Sequence, residues 1–159
     1  MTAPRATVRL QLHAGFGFEA ARTQLDYFAT LGISHLYLSP ILRAQPGSTH
    51  GYDTVDYGEV SPELGGESAL RTLADAAHAR GLGLIVDVVP NHMGIAGLAN
   101  AWWVDLLERG RASTSTRVFE IDWRPRDDRS RDKVRLPVLG KSIAEAIDAG
   151  ELRYTQENG

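Results

Sequence analysis

Residues 82–92 read Leu82-Gly83-Leu84-Ile85-Val86-Asp87-Val88-Val89-Pro90-Asn91-His92. From Leu82 to Val89 the chain is nearly continuous Leu and β-branched residues, the pattern of a strand buried on both faces of a parallel sheet. Pro90 has no N–H to give to a ladder and ends the strand. Asn91 and His92 therefore fall just past the strand's C-terminal end, the rim on which parallel α/β folds keep their chemistry. Asp87 lies inside the apolar run. A buried carboxylate without a partner is costly, so Asp87 is expected to meet a cation or several donors.

Working outward, Leu70, Leu73, Ala74 and Ala77 recur at helical spacing before the strand, and Gly81 closes that helix. Ser34 to Ser39 reads as an earlier strand, stopped by Pro40. Ala21, Leu25, Phe28 and Ala29 mark a helix ended by Gly32, and Thr7 to Leu12 alternates apolar and polar residues as a first strand. Residues 7–90 thus read β-α-β-α-β, with parallel strands and right-handed crossovers. Residues 40–66, rich in Gly, Pro, Ser and Asp, read as one long irregular loop. Connections longer than about 15 residues are usually functional or disordered, and the aromatic and turn residues here favour an ordered, functional one. It contains Ser48-Thr49-His50-Gly51-Tyr52-Asp53.

After Gly94 the rhythm changes. Asn100 is placed to cap a short helix through Trp102, Trp103, Leu106 and Leu107, ended by Gly110. Adjacent positions on a helix point differently, so one of the two tryptophans is expected in the core. Val118 to Trp123 and Lys133 to Leu139 read as short strands, with the charged stretch Arg124 to Lys133 as a solvated loop between them. Ser142 and Glu145 have capping-box spacing for a helix ending at Gly150, and Leu152 to Tyr154 reads as a last strand. The expected architecture is α/β. Residues 1–94 would be the first β-α-β-α-β part of a (β/α)8 TIM barrel, a small open sheet with an appendage being the other reading of only three strands. Residues 95–159 would be the start of an α+β domain inserted after the third barrel strand.

The 159 residues are 43% hydrophobic and 23% charged, with a formal net charge of -3. That composition suits a globular domain. The absence of clustered Lys and Arg argues against a nucleic-acid surface. With no cysteine there is no disulfide, thiolate zinc site or Cys nucleophile. No apolar run is long enough to span a bilayer and no secretory h-region is evident, so no membrane association and a cytoplasmic location are expected.

The two strand-end segments carry the chemistry. A sugar ring has an apolar face and a polar edge. Tyr52 suits the face, Asp53 can grip two hydroxyls, and Gly51 lets the backbone turn and approach closely. His50, Asn91 and His92 add imidazole and amide groups suited to sugar hydroxyls. Taken alone, Asp87 to His92 is equally consistent with a polar strand cap, and His50 to Asp53 is better read as an ordinary tight turn. Calcium is a competing reading for the Asp and Asn oxygens, with too few ligands to support it. His13 follows the first strand and is a lesser rim candidate; His35 and His78 read as a strand residue and a helix-surface residue. Gly15-Phe16-Gly17 is an incomplete phosphate-loop pattern.

Asp87-Val-Val-Pro-Asn-His92 resembles the first signature region of the α-amylase superfamily (glycoside hydrolase family 13). His50-Gly-Tyr-Asp53 resembles that superfamily's substrate-contact loop. Arg9-Leu-Gln-Leu12, Tyr37-Leu-Ser-Pro-Ile41, Ser61-Pro-Glu-Leu-Gly-Gly66, Phe119-Glu-Ile-Asp-Trp123 and Leu136-Pro-Val-Leu-Gly140 narrow the likeness to the maltooligosyltrehalose synthase family, along nearly the whole chain. Val8 departs from that pattern, where Tyr is expected. The resemblance implies an isomerase that converts the reducing-end α-1,4 linkage of maltooligosaccharides into an α,α-1,1 linkage without a cofactor or metal. It implies that Tyr52, Asp53, His92 and His50 contact the sugar, that Asn91 braces the loop, and that Asp87 is a barrel-core residue paired with an arginine on a later strand. The superfamily's nucleophilic Asp and general-acid Glu lie on later barrel strands, so no catalytic residue is assigned here and the 159-residue chain alone is expected to be inactive. The alternatives are another hydrolase or transglucosidase of the superfamily, or a non-catalytic carbohydrate-binding relic. Oligomeric state is left open.

Overall fold

The computed structural model describes residues 3–136, 138–153 and 155. Contacts divide the chain into two compact units, Met1–Val104 and Asp105–Gly159.

In the first unit, β1 (Thr7–Leu10), β2 (His35–Leu38) and β5 (Gly83–Val86) form a parallel sheet in the order β1-β2-β5. Arg9 stands beside Tyr37, and Tyr37 beside Ile85, in register. Successive side chains alternate between faces. Leu10, Leu36 and Leu38 accordingly lie on one face and are buried with Leu12. Covering them are α1 (Phe18–Thr23), α2 (Leu25–Thr30) and α3 (Gly66–His78), which bury Phe18, Leu25, Phe28, Leu73 and Ala77 against the leucines.

The single helix expected around Ala21–Ala29 is two short ones. Gln24, with ψ near -1°, interrupts the ladder, and the Thr23 hydroxyl bonds the Ala20 carbonyl at 2.7 Å. The expected terminus is present: Gly32 takes φ +84°, its N–H bonds Ala29 O and that of Ile33 bonds Phe28 O, a Schellman closure. Gly81 and Leu82 end α3 in the same way, on His78 O and Ala77 O.

Two further expectations are corrected. Residues 40–66 are not an irregular loop. They hold an antiparallel hairpin, β3 (Leu42–Ala44) with β4 (Thr54–Val60), irregular in register at Arg43, followed by a 3-10 turn at Pro62–Leu64. Thr54-Val-Asp-Tyr-Gly-Glu-Val60 carries the β-branched and aromatic residues of a strand, a signal masked by the flanking Gly and Pro. The strand expected from Leu82 to Val89 is regular only over Gly83–Val86 and is not buried on both faces: Val86 and Val88 are exposed. Its outer edge pairs with no strand among the described residues, so its apolar side chains lack cover on that side.

The helix α4 (Ala101–Arg109) starts where expected. Asn100 Oδ1 accepts the N–H groups of Trp102 and Trp103, each at 3.1 Å. Trp103 is buried and Trp102 exposed, one of the two in the core.

In the second unit, Val118 to Trp123 is not a strand. It follows a 3-10 turn at Thr114–Arg117, capped by Ser113, whose hydroxyl donates to Asp105. The described part of Lys133 to Leu139 is also irregular, Pro137 lying outside the described residues. Leu152 and Arg153 form no strand, and Tyr154 is likewise outside them. Arg124 to Lys133 is exposed around a 3-10 turn, Asp128–Ser130. The capping box is present on α5 (Ile143–Asp148): the Ser142 hydroxyl accepts from Glu145 N, and Ser142 N donates to Glu145 Oε2 at 3.0 Å. The Ser142 hydroxyl, donating to Glu145 Oε2 at 2.6 Å, and after it the Ser142 N–H hold the Glu145 carboxyl below its usual range. Among the described residues no helix is long and apolar enough to cross a membrane.

Candidate functional site

The uncovered face of the sheet carries Arg9, Tyr37 and Asp87. Turn 48–53 and the segment after β5 meet above it. Asp87 meets donors, as a carboxylate in an apolar run must. Tyr52 OH donates to Asp87 Oδ2 at 2.5 Å, and Tyr37 OH donates to the same oxygen at 3.0 Å. Donation to this carboxylate holds the Tyr37 hydroxyl above its usual pKa. The nearest cation, Arg9, acts through a hydroxyl: Arg9 Nη2 donates to Tyr52 OH at 3.0 Å, and its guanidinium lies 5.8 Å from the Tyr37 ring centroid.

The two motif segments are joined directly. His92 Nε2 donates to the Tyr52 carbonyl at 2.9 Å. That bond fixes a proton on Nε2. Nδ1 lies 3.1 Å from the side-chain amide of Asn91, which turned about donates to it. Tyr57, on β4, supports the same segment from below: its hydroxyl lies 2.8 Å from the Val89 carbonyl and 2.6 Å from the His92 carbonyl, and its one proton serves either. Gly94 N–H bonds Thr54 O at 2.8 Å, and Gln45 Nε2 bonds Ala96 O at 2.7 Å.

Within the turn, Ser48 OH donates to Asp53 Oδ1 at 2.5 Å. His50 Nδ1 accepts the Tyr52 N–H at 3.0 Å and lies 3.8 Å from Asp53 Oδ1. Because that nitrogen is an acceptor here, the short approach is not an ion pair, and His50 presents its Nε2–H outward. Its ring faces Tyr52 at 6.1 Å and 25°. Gly51 has φ +77°, and a Cβ there would stand 2.7 Å from the Pro40 carbonyl oxygen. The glycine of the motif thus serves both the left-handed turn and the close approach.

Tyr52, Asp53, His92, Asn91, His50 and Asp87 therefore come together on one rim. His13 does not join them: it forms a tight turn with Phe16 and accepts from Gly15 N–H. Gly17 packs on the Leu64 carbonyl, a close contact rather than a phosphate cradle. His35 is buried over Gly83, where a Cβ would stand 2.3 Å from its ring, and His78 is exposed. Among the described residues no three His, Asp or Glu side chains converge on a metal-sized site. A cavity of about 330 Å³ adjoins the turn, lined by Ser48 and Gly51 together with Leu12, Arg43 and Glu59. Arg9, Gln11, Tyr37 and Tyr57 are the members that sequence reading missed. Tyr37 and Arg9 were legible as the polar residues of alternating strands; Tyr57 was hidden by the loop assignment.

The chain belongs to the α-amylase family: residues 19–135 match the description "Alpha amylase, catalytic domain". Within that family it is similar to the putative maltooligosyl trehalose synthase of Mycobacterium tuberculosis (strain CDC 1551 / Oshkosh). The two are 50% identical over 141 residues, 85% of this chain and 18% of that protein. A crystal structure of a maltooligosyl trehalose synthase superposes with a TM-score of 0.81 at 43% identity, over 98% of this chain and 21% of that one. The maltooligosyltrehalose synthase of Arthrobacter ramosus gives a TM-score of 0.74 at 47% identity, over 76% and 16%. The chain thus spans about a fifth of the length of these relatives.

Proposed function

We propose that these residues belong to an enzyme that isomerises the reducing-end α-1,4 linkage of maltooligosaccharides to α,α-1,1. Residues 1–94 are the front of its catalytic (β/α)8 barrel, and residues 95–159 begin a domain inserted after the third barrel strand. The reaction follows the retaining glycosidase scheme. The terminal glycosidic bond breaks with proton donation to the leaving glucose oxygen, a covalent glycosyl-enzyme forms, and the released glucose attacks it through its anomeric hydroxyl. Bond count and redox state are unchanged, so no cofactor or metal is needed.

The rim supplies grip, not bond cleavage. Tyr52 offers its ring face to the glucosyl unit, Asp53 takes two hydroxyls with the oxygen left over from Ser48, His50 donates to a further hydroxyl, and His92, its ring nitrogens engaged by the Tyr52 carbonyl and Asn91, lines the subsite with its ring carbons. Asn91 braces His92. Asp87 is structural, anchoring Tyr52 and Tyr37. The nucleophile and general acid lie outside these 159 residues. The observation that carries this reading is the His92–Tyr52 bond at 2.9 Å, which unites the two family motifs on one surface.

Maltopentaose tests it. With a full-length protein carrying these residues, reducing ends disappear without release of free glucose, while the 159-residue chain alone forms no product. Glucose or shorter maltooligosaccharides as the main product would instead make it a hydrolase or transglucosidase. Trehalosyl product from the chain alone would place the bond-breaking groups within it.

A further inference from the structure

We propose that Arg9 and Gln11 are positioning residues that clasp turn 49–52 and hold the Tyr52 side chain in place; the consequence for sugar rests on the function proposed above. Both residues lie on the uncovered face because the alternation of Thr7-Val-Arg-Leu-Gln-Leu12 places them two apart. Arg9 Nη1 donates to Gln11 Oε1 at 2.6 Å, and Gln11 Nε2 donates to the Thr49 carbonyl at 3.1 Å. Arg9 Nη2 reaches Tyr52 OH at 3.0 Å. One arginine fork thus holds the turn at two points, the backbone of Thr49 through Gln11 and the phenol of Tyr52 directly.

The phenol has one proton, and Asp87 takes it at 2.5 Å. Arg9 fills a lone pair of the same oxygen. With a donor and an acceptor fixed in place, the phenol cannot swing away without breaking a charge-assisted bond. Tyr52 therefore meets a ligand through its ring face and edge, its hydroxyl being already engaged. Arg9 also lies over the Tyr37 ring, and Tyr37 donates to Asp87, which closes the circuit Arg9–Tyr52–Asp87–Tyr37. A lysine would offer one point charge to two separated acceptors, so the planar fork matters as well as the charge.

The test uses the full-length protein carrying these residues, with hydrogen exchange and maltopentaose affinity measured on Arg9→Ala, Arg9→Lys, Tyr52→Phe and the Arg9→Ala/Tyr52→Phe double variant. In Arg9→Ala, the amides of Gly51 and Tyr52 exchange about tenfold faster while those of β2 do not change, the sign of a local opening. Affinity for maltopentaose falls about fivefold, and Arg9→Lys recovers only part of it. One of the two Arg9 contacts ends on the Tyr52 hydroxyl, so in the Tyr52→Phe background Arg9→Ala adds less than its own fivefold loss, about two- to threefold through the remaining Gln11–Thr49 route. Unchanged exchange at residues 48–53, an equal rise in β2, or fully additive affinity losses would overturn the proposal. If the unaltered protein does not bind maltopentaose, the sugar reading fails by itself, and the exchange measurements still decide the clasp.

Discussion

The two faces of the β1-β2-β5 sheet differ in what holds them. One face is leucine against helix: Leu36 and Leu38 are fully buried beneath α1, α2 and α3. The other carries Arg9, Tyr37 and Asp87, bound to one another and to Tyr52 by directional hydrogen bonds. Burial is non-directional and scales with area, so the leucine face supplies stability and tolerates small shifts. Hydrogen bonds between exposed or half-buried groups add little net stability yet fix positions, so the polar face supplies geometry. Parallel strands alternate their side chains, and one short sequence therefore writes both surfaces.

The largest effect should come from the leucine face. Leu36→Ala is expected to cost about 3 kcal/mol, read by urea unfolding, because the helices cannot collapse fully onto the vacated space. Tyr37→Phe, its neighbour on the opposite face, should cost much less; equal losses would break the division between the faces. Next is the hinge of the polar rim. Gly51→Ala meets both a left-handed backbone and the Pro40 carbonyl and is expected to cost about 2 kcal/mol, with displacement of Tyr52 visible in its ring resonances. A neutral Gly51→Ala would mean that the turn can relax without disturbing the rim.

The smallest effect is one of pH. Hydrogen bonding to Asp87 raises the folded-state pKa of Tyr37 above its unfolded value of about 10. A raised value favours the protonated form in the folded state. Its contribution is therefore fully present below pH 10 and is lost as pH rises through the folded value. The alkaline limb of stability should flatten in Tyr37→Phe. An unchanged limb would show that the Tyr37–Asp87 bond has no energetic weight in solution.

Legibility in the sequence followed the same division. The three parallel strands in their order, the Schellman glycines Gly32 and Gly81, the Asn100 cap and the Ser142–Glu145 box rest on local spacing, and all are present. The hairpin at Leu42–Val60 was missed because Gly and Pro at its ends outweighed the β-branched residues inside it. Val118 to Trp123 has strand composition but no partner strand among the described residues, and apolar composition does not by itself make a strand. Tyr52, Asp53, Asn91 and His92 were read as one rim from the motifs around Gly51 and Pro90. Arg9 and Tyr57 were not, since their partners lie 43 and 35 positions away in the chain.

By itself, the sequence determined the periodicities, the chain reversals and the residue types at the strand ends, because each depends on neighbours a few positions away. Only the tertiary structure decided which donors reach Asp87, that Arg9 meets Tyr52 while Gln11 holds Thr49, and that β5 pairs with β2. Those contacts need strands and turns far apart in sequence to be set side by side. A hydrogen bond requires its two atoms within about 3 Å at the right angle, and no local pattern encodes that placement.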